Sequence, residues 1–210
     1  MATLQDVQDI ILAGRAKKTP AVVQEALDGG LDPKDILNSM IDAMGIVGER
    51  FTRNEIYVPE MLVTAKAMKK GVEVLKPYLT EGATGAMGKM VIGTVAGDLH
   101  DIGKNLVVMM VESAGFEVID LGVDVSAEAF IEAIRENPDT KLVGLSALLT
   151  TTMPAMAEIV AELNKQDFRP NIRIMVGGAP ITQEFADRIG ADAYTENAAE
   201  AAVVAKKLVL

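Results

Sequence analysis

The 210-residue chain has no cysteine, no tryptophan and a single histidine, His100. The missing thiols exclude disulfides, iron–sulfur ligation, zinc fingers and thiol nucleophiles together. Basic side chains are also in short supply: 20 Lys and Arg stand against 30 Asp and Glu, for a net charge of −10. That balance argues against nucleic acid as a partner, because phosphate contacts need clustered Lys and Arg. No apolar run approaches the ~18 residues of a membrane span. The opening MATLQDVQDIILAG places Asp6 and Asp9 inside its apolar pattern and has no basic stretch, so no signal peptide is expected and the expected location is the cytoplasm. What the chain does have is apolar mass, half of its residues, enough for one large domain or two modest ones.

The two halves follow different periodicities. From Thr3 to about Thr80 apolar residues recur every three or four positions. Leu4, Val7, Ile10 and Ile11 make one face of a first helix. Thr19-Pro20 opens a second, with Thr19 as N-cap, and Gly29-Gly30 closes it. Asp32-Pro33 repeats the start signal ahead of a stripe of Ile36, Leu37, Met40, Ile41 and Met44. A fourth helix runs from near Pro59 to near Leu75. Four helices with short connections predict a small bundle over residues 1–80. EGATGAMG, residues 81–88, reads as a linker.

From residue 89 to 210 short runs rich in Val and Ile alternate with helical periodicity. The runs are KMVIGTVAG, FEVIDLG, KLVGLSALL and IRIMVGG, with a weak fifth at Ala191–Thr195. The helices between and after them are Ile102–Ala114, Ala127–Arg135, Ala155–Leu163, Ile181–Ile189 and Ala198–Leu208. Unbroken apolar strands alternating with helices predict a parallel sheet buried on both faces, a doubly wound (flavodoxin- or Rossmann-like) α/β domain of five strands. Such sheets bind ligands beyond the carboxyl ends of their strands. GDLHDIG, SALLTTT and GGAP all fall at such ends, so three loops are expected on one edge.

The first of these loops holds His100. The plainest reading of a lone loop histidine is a solvated surface side chain. One His without Cys cannot make a closed tetrahedral zinc site. A Ser-His-Asp triad with Ser146 or Ser113 has no G-x-S-x-G elbow to support it. A phosphate loop is nearly spelled by Gly97 to Lys104, but five residues separate its glycines and Asn105 stands where a hydroxyl should reach magnesium. What the loop does offer is a carboxylate two residues before an imidazole. In an extended loop the two side chains point the same way, so Asp98 can orient His100 and leave one ring nitrogen as a directed lone pair. One protein ligand suffices for a metal that arrives with its other ligands supplied by a macrocycle.

Asp98-x-His100-x-x-Gly103, then Ser146-x-Leu148, then Gly177-Gly178 resembles the D-x-H-x-x-G, S-x-L and G-G signature of cobalamin-binding domains. In this chain 42 residues separate Gly103 from Ser146 and 28 separate Leu148 from Gly177, spacings that suit the family. The resemblance implies cobalamin or a related corrinoid bound base-off and histidine-on, with His100 as the lower ligand of cobalt. It implies a relay of His100, Asp98 and Thr152; methionine synthase carries serine where this chain has Thr152. It implies cofactor contacts from Asp98, His100, Asp101, Ile102, Gly103, Ser146, Leu148, Thr150, Gly177 and Gly178, with the displaced base in a slot lined by Ser146, Leu148 and the two glycines.

The stretch Gly48 to Met68 further resembles the helical bundle that precedes the cobalamin domain in methyl-carrying proteins. There Phe51 and Val58 would cap the upper face of cobalt; their plain reading is core packing at a helix end. Met40, Met44, Met61 and Met68 read as flexible core filler, and Lys69-Lys70 as solvated surface. The whole layout is similar to the corrinoid subunit of a three-component methyltransferase system, a carrier without catalysis of its own. A substrate:corrinoid methyltransferase would place a methyl group on Co(I), and a second enzyme would pass it from methyl-Co(III) to tetrahydrofolate or coenzyme M. A reductive activase would keep the carrier competent. His100 would detach on reduction and return on methylation, with Asp98 and Thr152 buffering the imidazole's proton, and the linker would serve as a hinge. A cobalamin sensor, the cobalamin subunit of a radical mutase and an unrelated flavodoxin-like module are the alternatives. The methyl donor is left open among methanol, methylamines, betaines and aromatic methyl ethers.

Overall fold

A computed structural model describes residues 2–78 and 87–210. The expected linker therefore lies outside the described residues except for Met87 and Gly88. The described chain divides into two compact units, one of helices and one built on a sheet.

The helical unit comprises α1 (Leu4–Leu12), α2 (Thr19–Asp28), α3 (Pro33–Thr52) and α4 (Val58–Leu75). A capping box closes the start of α1, where Thr3 and Asp6 exchange side-chain and backbone hydrogen bonds. Asp32 caps α3 by accepting from the Lys34 N–H at 2.7 Å, and Pro33 follows as the expected first helical residue. Thr19 departs from expectation. It is the first residue of α2 rather than its cap, fully buried, and its hydroxyl donates to the Arg15 carbonyl at 3.1 Å. A threonine with a carbonyl in reach behind it bonds backwards instead of capping forwards. The apolar stripes meet as predicted: Val7, Ile11, Ile36, Met40, Met44, Met61 and Met68 are all buried together in the bundle core.

The second unit contains β1 (Lys89–Thr94), α5 (Ile102–Ser113), β2 (Glu117–Asp120), α6 (Ala127–Glu136), β3 (Thr140–Ser146), α7 (Met153–Asn164), β4 (Arg173–Gly177), α8 (Gln183–Ile189), β5 (Ala193–Thr195) and α9 (Ala198–Val209). The strands form one all-parallel sheet in the order β2-β1-β3-β4-β5. The order reverses between β1 and β3, so the loops leaving those two strands diverge and open a crevice at the carboxyl edge. Right-handed crossovers then put α5 on one face and α6, α7 and α8 on the other. On the α6–α8 face Val91, Val143, Leu145, Ile174 and Val176 pack with Phe130, Met156, Ile159 and Phe185. Phe130 approaches β1 closely because the strand carries Gly93 there; an added Cβ would stand 2.9 Å from its ring.

The expectation of strands buried on both faces holds for β1, β3 and β4 but not for β2. Glu117 and Asp120 are exposed and Val118 and Ile119 only partly buried, because β2 is the sheet's edge and pairs on one side alone.

Phe130 is the largest apolar side chain with no exposure. Phe130→Ala is expected to cost about 3–5 kcal/mol, the usual range for emptying a core aromatic site. Urea unfolding of the full chain checks this against the exposed Glu132→Ala, expected within about 0.5 kcal/mol of the parent.

Candidate functional site

β1 ends at Thr94 in the middle of the carboxyl edge, and the chain leaves it through a turn with Gly97 at φ +80°. That left-handed backbone folds Asp98 inward, where it has no exposed surface. Its Oδ1 accepts from the His100 N–H at 3.1 Å and stands 2.7 Å from His100 Nδ1. A carboxylate accepting from the N–H two residues ahead is an Asx turn. The pairing of Asp98 with His100 is thus made by a tight turn, not by the extended loop expected from sequence. Thr94 tightens it further by donating its hydroxyl to the His100 carbonyl at 2.9 Å.

The other carboxylate oxygen belongs to the loop after β3. Asp98 Oδ2 accepts from the Leu148 N–H at 2.7 Å and the Leu149 N–H at 3.3 Å, and lies 2.9 Å from Thr152 Oγ1. Leu149 precedes a single 3₁₀ turn, Thr150–Thr152, which runs into α7. Thr152 Oγ1 is equally near the Leu149 carbonyl, at 2.9 Å, and its one proton favours the charged acceptor. A threonine therefore fills the relay position without displacing the hydroxyl; the extra methyl group lies toward Gly97, whose Cβ position is 3.7 Å from Thr152 Cγ2.

Burial works to raise the Asp98 pKa. The hydrogen bonds from Leu148, from the ring and backbone of His100 and from Thr152 outweigh it and hold the carboxyl well below the usual range. An ionised carboxylate only accepts, so the proton shared with His100 sits on Nδ1 and Nε2 carries the lone pair. Asp98 is a fixed anion here rather than a store for the imidazole's proton.

Around this pair the surface is unusually apolar. The His100 side chain is 51% exposed, and Leu99 (72%), Ile102 (79%), Leu148 (44%) and Leu149 (40%) stand out from the same loops. Large aliphatic side chains clustered in the open mark a binding surface. Asp101 holds the first turn of α5 by accepting from the Asn105 side chain at 3.1 Å. Gly103 lies in the same turn, and a Cβ added there would meet nothing within 4 Å. Thr150 is exposed at the start of the 3₁₀ turn.

Ser146 and Gly177 belong to a second feature. Thr94, Ser146, Gly177 and Thr195 are paired in register across β1, β3, β4 and β5. Paired residues of a parallel sheet share a face, so three small hydroxyl side chains and a glycine make a shelf along the carboxyl edge. Gly178 has a different task. Its φ is +127°, and a Cβ there would collide with the Ala147 carbonyl. The glycine is required by the chain's own packing of β4 against β3.

Phe51 and Val58 lie in the helical unit, at the last turn of α3 and the first residue of α4, the first partly buried and the second 36% exposed. Lys104 is not a phosphate ligand. It is fully buried, and its ammonium donates to both Asp120 oxygens at 2.7 and 2.6 Å and to Asn105 Oδ1 at 2.8 Å. Ser113 is removed from His100 by the length of α5, roughly 18 Å for 12 residues, which ends its candidacy as a nucleophile. Sequence reasoning passed over Thr94, Leu149 and Asp124. Asp124 accepts from the Gly97 N–H at 2.7 Å, and its only sequence signal is the GVD after β2.

Two outcomes are expected in the protein without ligand. In its neutral form the single imidazole, labelled with ¹⁵N, will carry its proton on Nδ1, and Asp98→Ala will shift the population toward the Nε2–H tautomer. Because the Asp98 pKa is lower folded than unfolded, its stabilisation is present above the unfolded value, about 3.9, and is lost as pH falls through the folded one. Urea midpoints should therefore show the parent's advantage over Asp98→Asn full above about pH 5 and shrinking below about pH 4.

Comparison with known proteins identifies the family. Residues 88–204 match a family model described as a B12 binding domain, and residues 3–76 match a second model of that description. The dimethylamine corrinoid protein 1 of Methanosarcina acetivorans is 44% identical over 208 residues, 98% of this chain and 96% of that one. A cobalamin-binding protein from Desulfitobacterium hafniense superposes with a TM-score of 0.83 at 29% identity, covering 99% of both chains. The methanol:cobalamin methyltransferase complex of Methanosarcina barkeri gives a TM-score of 0.81 at 30% identity, over 97% of this chain and 78% of the matched one. The polypeptide whose buried Asp98 steers its one histidine outward belongs to the B12-binding family of corrinoid proteins.

Proposed function

We propose that the protein is the methyl carrier of a methylamine methyltransferase system, holding a corrinoid base-off with His100 Nε2 as the lower axial ligand. The observation that carries the reading is the Asp98–His100 pair, in which a carboxylate with both oxygens already bonded fixes the proton on Nδ1 and directs Nε2 outward. When bound, the corrinoid supplies a cobalt that accepts and releases a methyl group.

The residues present fit such a group. Among the described residues no cluster of three or more His, Cys, Asp or Glu side chains could hold a bare metal, whereas one imidazole is what a macrocyclic cobalt needs. Leu99, Ile102, Leu148 and Leu149 offer an apolar surface to a broad ring, and the open space at Gly103 lets that ring approach α5. The shelf of Ser146 and Gly177, bounded by Leu148 and Gly178, suits the detached nucleotide base, and the Ser146 hydroxyl can bond a ring nitrogen. Asp101 and Thr150 face the ligand's polar rim in this reading.

The chain's own contribution is to hold geometry and charge. Asp98 stays ionised, keeps Nδ1 protonated and stabilises the imidazole as a donor; Thr152 holds the carboxylate through a hydrogen bond. Two enzymes would meet the carrier in turn: a methylamine:corrinoid methyltransferase, then one passing the methyl to coenzyme M or tetrahydrofolate, with a reductive activase restoring it. The methylamine class is supported by the 44% identity to a dimethylamine corrinoid protein along nearly the full length of both chains. A cytoplasmic setting suits that chemistry, and no described helix is long and apolar enough to cross a membrane.

The purified chain, reconstituted separately with methylcobalamin and adenosylcobalamin, tests the reading. The methyl form is expected to give a base-off, histidine-on visible spectrum, and His100→Ala is expected to convert it to one without an axial imidazole. An unchanged spectrum in His100→Ala removes the ligand assignment. Preference for the adenosyl form would favour a mutase subunit.

A further inference from the structure

The loop after β2, Leu121–Val125, has entered so far only through the Asp124–Gly97 bond, yet it grips the His100 turn from the opposite side to the β3 loop. The Thr94 N–H donates to the Gly122 carbonyl at 3.0 Å and the Val125 N–H to the Thr94 carbonyl at 3.0 Å. These bonds and the Val95–Val125 bridge prolong the parallel pairing past the end of both strands. Asp124 then makes two contacts with the tip. Its Oδ1 accepts from the Gly97 N–H at 2.7 Å, and its own N–H donates to the Asp98 carbonyl at 3.0 Å. To do so it holds φ +56°, a left-handed backbone that Asp, Asn and Gly tolerate and most residues do not.

Asp98 is thereby held twice. Its side chain is bonded by the β3 loop, and its backbone by Asp124. The carboxylate has no freedom of its own, so any slack in the Gly97–Asp98 backbone is passed to the imidazole that the carboxylate steers.

We infer that Asp124 is a positioning residue for the axial histidine: its carboxylate locks the Gly97–Asp98 turn and so sets how well His100 Nε2 ligates cobalt. The inference rests on the axial-ligand reading given under Proposed function. Asp124 touches neither the imidazole nor, in this assignment, the cofactor, and it acts through the backbone of Asp98.

Two substitutions separate this role from general support of the fold. Asp124→Gly keeps the left-handed backbone and the N–H to Asp98 but removes the acceptor for Gly97. Asp124→Asn keeps both the backbone preference and a side-chain oxygen. In the apoprotein, amide exchange at Gly97 is expected to quicken about tenfold in Asp124→Gly and to stay within about twofold of the parent in Asp124→Asn. In the full chain loaded with cob(II)alamin and labelled with ¹⁵N-histidine, the axial-nitrogen hyperfine pattern of the electron paramagnetic resonance spectrum reports ligation directly. Asp124→Gly is expected to weaken the histidine-on equilibrium by about tenfold, the lower end of what loss of an orienting group costs a metal ligand, and Asp124→Asn to restore it.

Quickened Gly97 exchange with undiminished histidine ligation in Asp124→Gly overturns the inference alone. A parent spectrum whose hyperfine pattern does not respond to the histidine label overturns the axial-ligand reading, and the inference with it.

Discussion

Everything at the carboxyl edge depends on one buried anion. The Asp98 carboxylate has no exposed surface, and hydrogen-bond donors from two separate loops surround it. An unpaired carboxylate in that place would cost several kcal/mol, so the β1 and β3 loops are obliged to meet around it. The obligation works in both directions. The donors keep the charge, and the charge gathers the donors: Leu148 and Leu149 present their N–H groups just ahead of a helical turn, where backbone donors have no partner within the helix. The imidazole donates its Nδ1–H to Asp98 Oδ1, and that bond is enough to decide which nitrogen faces out.

The glycines of the motif answer to different constraints. A side chain at Gly178 would collide with the Ala147 carbonyl, so that position is needed before any ligand arrives. Gly103 has nothing near it, so its small size is not explained by packing within the chain. Gly177 is intermediate, with the Thr195 carbonyl 3.1 Å from where a Cβ would stand. A motif that reads as three equivalent glycines thus contains one that builds the sheet edge, one that keeps a surface open and one that does some of each.

Much of the architecture was legible because burial writes itself into hydrophobic pattern. The Val- and Ile-rich runs became β1, β3 and β4, and the three loops expected on one edge are there, two of them joined through Asp98. The misreadings share a cause. Pattern reports how apolar a residue is, not which neighbour it meets. FEVIDLG has the Val and Ile of the other runs but also carries Glu117 and Asp120, and β2 lies at an edge of the sheet and stays half-exposed. Thr19 has the chemistry of a cap, but a carbonyl four residues back lies within reach of its hydroxyl. The phosphate loop rejected on its spacing is independently ruled out at Lys104, whose neutralising partner, Asp120, lies 16 residues on and across a strand–helix boundary. Asp124 is farther still from the motif it supports, 27 residues from Gly97, and only the GVD after β2 marks it.

Lys104 and Asp98 are best understood together. Each is a fully buried charge in a domain whose composition had plenty of apolar residues to put there instead, and replacing buried ions by apolar groups often costs a protein nothing. Their common property is position. Lys104 ties the first turn of α5 to the end of β2, and Asp98 ties the turn before α5 to the loop after β3. Between them they fix both ends of the short segment that carries His100, Asp101 and Gly103. Apolar contacts would hold that segment as firmly but with less directional precision, because dispersion falls off gradually with orientation whereas a charged hydrogen bond does not. A side chain that presents one particular ring nitrogen outward gains from the stricter geometry, and that gain accounts for charges placed where a hydrophobic core would otherwise serve.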